Sequence, residues 1–365
     1  MLSVSISIQS PKDCLQELPT PNNKFRIQKP SITTSLVDVT QVLEKRNDLP
    51  CRILFKNEFE QPSGSFKLRG IGRLIQKSLQ DAAKQTSSSI HVFASSGGNA
   101  GLAAAYASNF YNVQCTVVVP VNSMPHVVEK LKSFGSRVVL FGNSIGEADI
   151  HARQLMASCD KETHTIYCHP FDNPLIWQGH SEIMDEVFSQ LEESDFKKVK
   201  GVACSVGGGG LYNGIMTGLK LNKSTAECLL VETKQAPTLT KAVEKGSVVK
   251  LDSVKSLATS LACSYVSQPT LELFQDQSVN KSHLTTVDDF DAIKAAISYY
   301  NDFGTLVEPA CGAAMTVVYN HLSFLTNSLH QLSKDDIVVV IVCGGSCTNE
   351  EVLAGYRKMI RESNL

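Results

Sequence analysis

The sequence predicts an α/β protein in which parallel sheets are flanked by helices. Short runs of valine, isoleucine and leucine recur along the chain, and amphipathic stretches with apolar residues three and four positions apart separate most of them. Strands that are apolar on both sides are typical of parallel sheets covered by helices on both faces. So many strand–helix units in 365 residues indicate two sheets with a cleft between them. In such sheets ligands bind beyond the carboxyl ends of the strands.

The individual elements follow from the same patterns. Strands are expected at residues 52–55, 91–95, 115–119, 137–141, 165–168, 199–206, 227–232 and 337–343. Helices are expected from residue 66 onward and at 99–109, 125–134, 147–159, 175–191 and 211–219. Three more helices, at 288–302, 310–324 and 349–360, would cover the second sheet. Residues 1–30 contain four prolines with little periodicity, which predicts an arm.

The composition is that of an ordinary globular protein. Hydrophobic residues make up 42% and charged residues 19%, which argues against disorder. The net charge of −2 gives no reason to expect a nucleic acid or an anionic membrane as partner. No apolar run approaches the roughly 20 residues of a membrane helix, and residues 1–20 resemble neither a transit peptide nor a secretory signal. Eleven scattered cysteines without a CxxC pair indicate reduced thiols and a cytosolic protein.

The segment QPSGSFKLRG, residues 61–70, places one lysine between a turn and a helix. A proline and a glycine predict the turn, and Ser63 and Ser65 are candidates to cap the helix. Lys67 then lies in the first turn, near the positive end of the helix dipole, where a cation is unusual. The helix field and burial would both lower its pKa and leave a neutral amine that can attack a carbonyl. The ordinary alternative is a solvated lysine.

Three glycine-rich loops follow predicted strands, at residues 95–101, 206–214 and 343–346. Glycine allows a ligand to approach the backbone, and the free N–H groups at a helix N-terminus bind anions. A single loop of this kind is often only a tight turn, and none has the spacing of a Walker or a dinucleotide motif. In one cleft with Lys67, they would suit a phosphorylated carbonyl cofactor held as a Schiff base.

Five motifs in this order resemble those of the L-serine/L-threonine dehydratases. They are PSGSFKLRG at 62–70, SSGGNAG at 95–101, SVGGGGL at 205–211, EPACGAA at 308–314 and CGGS at 343–346. That family has the two-domain fold type II of pyridoxal-phosphate enzymes, which is tryptophan synthase β-like. The resemblance implies a small domain at residues 62–172, inserted into a large cofactor domain formed by 31–61 and 173–365. It also implies a homodimer that acts on an amino acid.

The resemblance implies roles for the matching residues. Lys67 would hold pyridoxal 5′-phosphate as an aldimine and later take the Cα proton of the substrate. Phe66 would pack on the cofactor ring, and Asn99 would bind the ring 3′-oxygen. The turn for the substrate carboxylate would be Ser96, Gly97, Gly98 and Asn99, and the cradle for the 5′-phosphate would be Gly207, Gly208, Gly209, Gly210 and Leu211.

Cys343 matches the residue that contacts the pyridine nitrogen in that family. A thiol does not keep this nitrogen protonated as an aspartate would, so β-elimination of hydroxide is favoured over transamination. The implied reaction gives pyruvate and ammonia from L-serine, and 2-oxobutyrate and ammonia from L-threonine. The alternative is a buried thiol at a strand end without a chemical role.

The resemblance also implies a monovalent cation such as K⁺ near the phosphate. The matching positions are Glu232, Ala236, Thr238, Leu261 and Cys263. Here Ala262 stands where the family usually has glycine, and alanine does not adopt a positive φ cheaply, so a different loop path is expected.

Two other functions remain open from the sequence. A cysteine synthase is one, although such enzymes usually read TSGNTG where this chain reads SSGGNAG. The second is a cofactor-binding homologue that is weak or inactive as a catalyst and has a regulatory role. The serine-to-threonine preference is left undetermined.

Overall fold

Two β-sheets form the framework of the protein. The structure is a computed structural model that describes residues 28–83 and 89–363. The strands within this part of the chain are β1 (Leu36–Asp38), β2 (Arg52–Asn57), β3 (Ser89–Ala94), β4 (Gln114–Val119), β5 (Arg137–Leu140), β6 (Thr163–Cys168), β7 (Val199–Ser205), β8 (Glu227–Thr233), β9 (Ser282–Val287) and β10 (Ile337–Val342).

The two sheets have different sizes and separate hydrophobic cores. One has six strands in the order β1-β2-β10-β7-β8-β9, and the other has four in the order β5-β4-β3-β6. Every pairing is parallel except that of β1 with β2. Each sheet is packed against its own cluster of buried apolar side chains. The predicted α/β class with helix-flanked parallel sheets is confirmed.

Helices connect the strands and cover the sheets. In the described residues they are α1 (Thr40–Leu43), α2 (Lys67–Ala82), α3 (Asn99–Phe110), α4 (Pro125–Ser133), α5 (Ile145–Ala157), α6 (Pro174–Gln190), α7 (Gly210–Leu221), α8 (Thr238–Lys245), α9 (Gln268–Gln275), α10 (Asp289–Phe303), α11 (Pro309–Tyr319), α12 (Leu322–Ser328) and α13 (Glu350–Glu362). None of these is long and apolar enough to cross a membrane.

The elements differ from the prediction at the sheet edges and in the loops. All eight predicted strands are present within two residues at each end. The sequence patterns missed β1 and β9, which are edge strands with many part-exposed residues and hence no continuous apolar run. They also missed α8 and α9, and the helix predicted at 310–324 is divided near Asn320 into α11 and α12. Of the predicted arm, only residues 28–30 lie within the described part.

A buried ion network joins β2, α2 and α6. The guanidinium of Arg69, which is 1% exposed, donates hydrogen bonds of 2.6–2.8 Å to Glu58 and Glu186. Lys56 donates to Glu186 at 2.8 Å and to the carbonyl of Thr34 at 2.7 Å. The hydroxyl of Thr34 donates to Glu58. These bonds fix the first turns of α2, where Lys67 lies, against the six-stranded sheet.

Candidate active site

A cleft of about 530 Å³, including its open mouth, lies at the carboxyl ends of β7 and β10. This is where open α/β sheets bind ligands. Its lining brings together most of the residues that the sequence singled out: Phe66, Lys67, Asn99, Gly207, Gly208, Gly209, Gly210, Leu211, Leu261, Cys263 and Cys343. It also includes Phe171, Ser205, Ser260, Glu308 and Ala310.

Lys67 is the first residue of α2, as the sequence predicts. The turn before it is held against the loop that follows β10. The N–H of Phe66 donates to the carbonyl of Cys343 at 3.1 Å, and the N–H of Gly345 donates to that of Gly64 at 3.2 Å. Gly64 has a φ of +84°, which an L-residue adopts only with strain. These two bonds join the turn before α2 to the loop after β10, although the two segments lie far apart in sequence.

The predicted serine caps of α2 are wrong. Phe66 is the N-cap residue, and within the described residues no side chain accepts a hydrogen bond from this helix terminus. The hydroxyl oxygens of Ser63 and Ser65 are buried and have no partner there. The backbone contacts to the loop after β10 give the turn its shape in place of side-chain capping.

The side chain of Lys67 is half-buried among the residues that line the cleft. Its amine donates one hydrogen bond of 2.6 Å, to the carbonyl of Pro170, and lies 5.0 Å from the ring centre of Phe66. Burial lowers the pKa of Lys67, while the nearby thiols of Cys263 and Cys343 oppose this shift. Within the described residues no carboxylate forms an ion pair with it. A larger fraction of this amine is therefore neutral than in a solvated lysine.

The glycines at 207–210 form a cradle at the N-terminus of α7. A Cβ on Gly208 would clash with the ring of Phe171, and one on Gly210 would lie 2.9 Å from the carbonyl oxygen of Phe171. Gly209, the N-cap residue, has a φ of +92° and is packed against Thr270. The backbone therefore requires glycine here, and the first N–H groups of α7 have no partner within the helix. This arrangement suits an anion.

Asn99 begins α3, directly after the loop formed by Ser96, Gly97 and Gly98. Its Nδ2 donates to Glu308 at 2.9 Å and to Ser260 at 3.3 Å. Its Oδ1 is buried and has no hydrogen-bond partner in the described residues. A Cβ on Gly97 would lie 3.1 Å from the hydroxyl oxygen of Ser123, so this loop is closely packed on its outer side.

Cys343 follows β10 and is 8% exposed. Its sulfur lies 4.0 Å from the hydroxyl oxygen of Ser205 and is also in contact with Cys311. The hydrogen bond with Cys311, together with burial, raises the pKa of Cys343 well above the ordinary value. The thiol is therefore protonated and uncharged at neutral pH.

The positions matched to a cation site lie beside the cradle. The hydroxyl of Thr238 donates to the carbonyl of Cys263 at 2.9 Å, and Leu261 contacts Gly207. The carboxylate of Glu232 accepts from the N–H groups of Leu239 at 2.6 Å and Thr240 at 2.8 Å, and so caps α8. Burial raises the pKa of Glu232 to about 7.

Ala262 does not disturb this region. Its φ is −73°, so the left-handed conformation that would require glycine is not used, and the alanine lies here without backbone strain. This negative φ is consistent with the different loop path expected at Ala262, which stays a prediction. In the described residues no group of three or more His, Cys, Asp or Glu side chains is placed to hold a metal ion, so a cation here would depend on backbone and hydroxyl oxygens.

Sequence reasoning gave no role to Glu308, Ser260 or Phe171. Glu308 belongs to one of the quoted motifs, and an acidic residue before Pro309 and a helix is a signal for a helix N-terminus. Nothing in the sequence indicates that it meets Asn99. Nδ1 of His169 accepts hydrogen bonds from the N–H groups of Phe171 and Asp172 and so shapes the loop under the cradle.

The chain is similar to known proteins over most of its length. Residues 32–344 match the family described as "Pyridoxal-phosphate dependent enzyme". An L-serine dehydratase of Saccharomyces cerevisiae is 43% identical over 305 residues, which cover 82% of this chain and 89% of that protein. A catabolic L-serine/threonine dehydratase of the same species is 40% identical, covering 84% and 87%. The crystal structure of a fungal L-serine ammonia-lyase from Rhizomucor miehei superimposes with a TM-score of 0.80 at 32% identity, covering 91% and 99%.

Proposed function

Because this chain belongs to the family of pyridoxal-phosphate dependent enzymes, we propose that it is an L-serine ammonia-lyase, which converts L-serine to pyruvate and ammonia. L-Threonine, which would give 2-oxobutyrate and ammonia, is the proposed second substrate. One observation carries the proposal: the Lys67 amine, the glycine cradle and the Cys343 thiol line the same cleft. The identity of 43% to a yeast protein named L-serine dehydratase supports it.

The residues of the cleft fit pyridoxal 5′-phosphate. The cradle requires glycine, because a Cβ at Gly208 or Gly210 would meet Phe171, and the free N–H groups at the N-terminus of α7 suit a phosphate. The amine of Lys67 has a lowered pKa, which suits attack on an aldehyde. The unpaired Oδ1 of Asn99 can be satisfied by a ligand in the cleft that Asn99 lines. When bound, the cofactor supplies a carbonyl for the substrate amine and an electron sink for Cα.

Each group of the cleft has a part in the proposed reaction. The Lys67 amine would hold the cofactor through its carbonyl, and the same amine, when neutral, would be the base for the Cα proton of the substrate. Phe66 packs against the cofactor ring, and Asn99 binds the ring 3′-oxygen. The turn formed by Ser96, Gly97 and Gly98 offers the N-terminus of α3 to the substrate carboxylate. The phosphate is held by Gly207, Gly208, Gly209, Gly210 and Leu211.

Cys343 favours elimination over the competing reactions of such cofactors. A protonated thiol with a raised pKa is too weak an acid to hold the neighbouring ring nitrogen in its protonated form. With the cofactor bound, its ring would therefore withdraw less charge from Cα than a ring with a protonated nitrogen. Departure of the substrate hydroxyl as water would be favoured here, and its proton would come from the cofactor phosphate that the glycine cradle would hold.

We also propose a K⁺ ion bound by Glu232, Ala236, Thr238, Leu261 and Cys263. The support is that Thr238 and Cys263 lie within hydrogen-bond distance, while Glu232 caps the helix that begins at Thr238. Backbone carbonyl oxygens are ligands that K⁺ accepts. The ion would stiffen the turn on which Gly207 rests. Turnover in potassium buffer should exceed turnover in tetramethylammonium buffer, and equal rates in the two would contradict the site.

The domain division, the oligomeric state and the location belong to the same proposal. Residues 62–172 are proposed as the small domain, with 31–61 and 173–365 as the large one. The four-stranded sheet lies entirely within 62–172.

A homodimer is proposed, and exposed Leu140, Phe141 and Ile145 beside the edge strand β5 offer an apolar surface for it. Light scattering should give twice 39.7 kDa. Ten described cysteines are free, which suits the cytosol.

The test of the function is product formation by the purified protein. With pyridoxal phosphate and potassium present, L-serine should yield pyruvate and ammonia in equal amounts, and L-threonine should yield 2-oxobutyrate. Lys67→Ala should fold and yield neither product. Cofactor binding without either product from the parent protein would contradict the proposal and favour the regulatory homologue. Full turnover by Lys67→Ala would contradict the assignment of Lys67.

A further inference from the structure

Glu308 lies in the cleft, and the proposed function gives it no part. Its side chain is 4% exposed and directly precedes α11, where the helix dipole favours a negative charge. Its Oε1 accepts from Asn99 Nδ2 at 2.9 Å and from the N–H of Cys347 at 3.0 Å. Its Oε2 accepts from the hydroxyl of Ser260. One carboxylate thus joins the substrate loop of the four-stranded sheet to two loops of the six-stranded sheet.

This carboxylate determines the orientation of the Asn99 amide. A carboxylate can only accept hydrogen bonds, so the amide must turn Nδ2 toward Glu308. Without that constraint the amide could rotate by half a turn and exchange its donor and its acceptor. Ser260 supports the same orientation, because its hydroxyl donates to Glu308 and its oxygen lies 3.3 Å from Asn99 Nδ2.

We propose that Glu308 is a positioning residue that acts through Asn99. The inference rests on the proposed function, in which Asn99 binds the 3′-oxygen of the cofactor. Since Nδ2 is turned to Glu308, the atom left for this contact is Oδ1, which would accept from the 3′-hydroxyl. Removal of the carboxylate frees the amide and separates three loops, and the cofactor ring is then held less often in the productive orientation. The hydrogen bonds of Glu308, and not its charge, supply the effect, because its three partners within the described residues are neutral donors.

The experiment compares Glu308→Ala with Glu308→Gln, both loaded with pyridoxal phosphate. The glutamine keeps an oxygen for Asn99 and Cys347, and its Nε2 can donate to Ser260, whose hydroxyl rotates. We expect kcat for L-serine within about threefold of the parent for Glu308→Gln, and about 100-fold lower for Glu308→Ala, the scale of a misplaced reacting group. The absorbance maximum of Glu308→Ala should move to that of Asn99→Ala, while Glu308→Gln keeps the parent maximum.

A double-mutant cycle separates this role from general weakening of the fold. If Glu308 acts through Asn99, the double alanine variant should lose no more kcat than Asn99→Ala alone. Three results would each overturn the proposal. The first is a double variant whose loss of kcat is the product of the two single losses. The others are parent-like kcat and absorbance in Glu308→Ala, and equal losses of kcat in Glu308→Gln and Glu308→Ala.

The proposal can still be tested if Glu308→Ala does not fold or if the parent protein shows no turnover. If Glu308→Ala does not fold, Ser260→Ala takes its place. Because this variant loses one of the supporting hydrogen bonds, we expect the same direction of absorbance shift and a kcat about tenfold lower than that of the parent. Parent-like absorbance and kcat in Ser260→Ala would overturn the proposal. If the parent binds the cofactor but releases no pyruvate, the proposed function fails by itself. The absorbance comparison then still tests Glu308, because it requires no turnover.

Discussion

Burial of a single amine determines the pH range in which Lys67 can react. Since burial lowers its pKa, the neutral amine is present at a lower pH than in a solvated lysine. The rate at which the cofactor-free protein forms its Schiff base with pyridoxal phosphate should therefore rise with a midpoint below pH 10.5. Stopped-flow absorbance over a pH series measures this, with Lys67→Arg as a control that lacks the phase. A midpoint at or above 10.5 would contradict the burial argument.

The glycine cradle gives a second prediction for single residues. Gly209→Ala combines a positive φ with a clash against Thr270, so we expect at least about tenfold weaker binding of pyridoxal phosphate by fluorescence titration. Gly355→Ala is the matched control, because nothing lies within 4 Å of the added Cβ and the residue is exposed within α13. That variant should bind the cofactor normally and gain about 0.5–1 kcal/mol of stability. Unchanged binding by Gly209→Ala would count against the cradle.

The sequence identified those parts of the site that are linear motifs. Lys67 and the glycines at 207–210 each lie in a short stretch whose turn, helix start and backbone freedom are local properties. The role of Glu308 was not predictable, because its partners Asn99, Ser260 and Cys347 lie far from it in the chain and meet it only through the fold. The contact between Cys343 and Cys311 was not predictable for the same reason, because the two residues meet only through the fold.

At the scale of elements, Glu232 holds the N-terminus of α8. Glu232→Ala leaves the N–H groups of Leu239 and Thr240 without their acceptors, so we expect a loss of about 1–3 kcal/mol in the free energy of unfolding. Glu232→Gln retains one acceptor oxygen and should lose less. Urea unfolding measures both variants. Equal stability of the parent and Glu232→Ala would contradict the capping role. If K⁺ binds at this site, potassium should raise the Tm of the parent and leave the Tm of Glu232→Ala unchanged.

The elements themselves were predictable where burial is complete. β7 and β10 are buried along nearly all their length, and their continuous apolar runs mark them in the sequence. β9 reads SHLTTV and is largely half-buried, so its pattern resembles that of a loop. Its place as an edge strand is set by pairing with β8, which residue patterns do not encode.

At the scale of the whole molecule, the ion network around Arg69 holds α2 against the six-stranded sheet. Arg69→Leu would leave the buried carboxylate of Glu58 without a cation and that of Glu186 with Lys56 alone. Breaking a buried pair from one side typically costs about 3–5 kcal/mol, and we expect that loss in the free energy of unfolding. Chemical denaturation with a fluorescence readout measures it.

The surface pair of Lys29 and Glu182 provides the control for this prediction. Glu182 lies on α6 like Glu186, but its side chain is 32% exposed. Glu182→Ala should therefore change the stability by no more than about 0.5 kcal/mol. Similar losses for Arg69→Leu and Glu182→Ala would mean that burial does not distinguish the two pairs.

The central position of β10 fixes the order in which a nascent chain can fold. The four-stranded sheet is contiguous from Ser89 to Cys168, so it can form while later residues are still being translated. The six-stranded sheet cannot, because β10 lies between β2 and β7 and is made long after both. Until residue 342 leaves the ribosome, β2 and β7 expose unpaired apolar edges, a state prone to aggregation and suited to chaperone binding. Cofactor capture must wait for the same strand, since Cys343 and the partner loop of the Lys67 turn follow it.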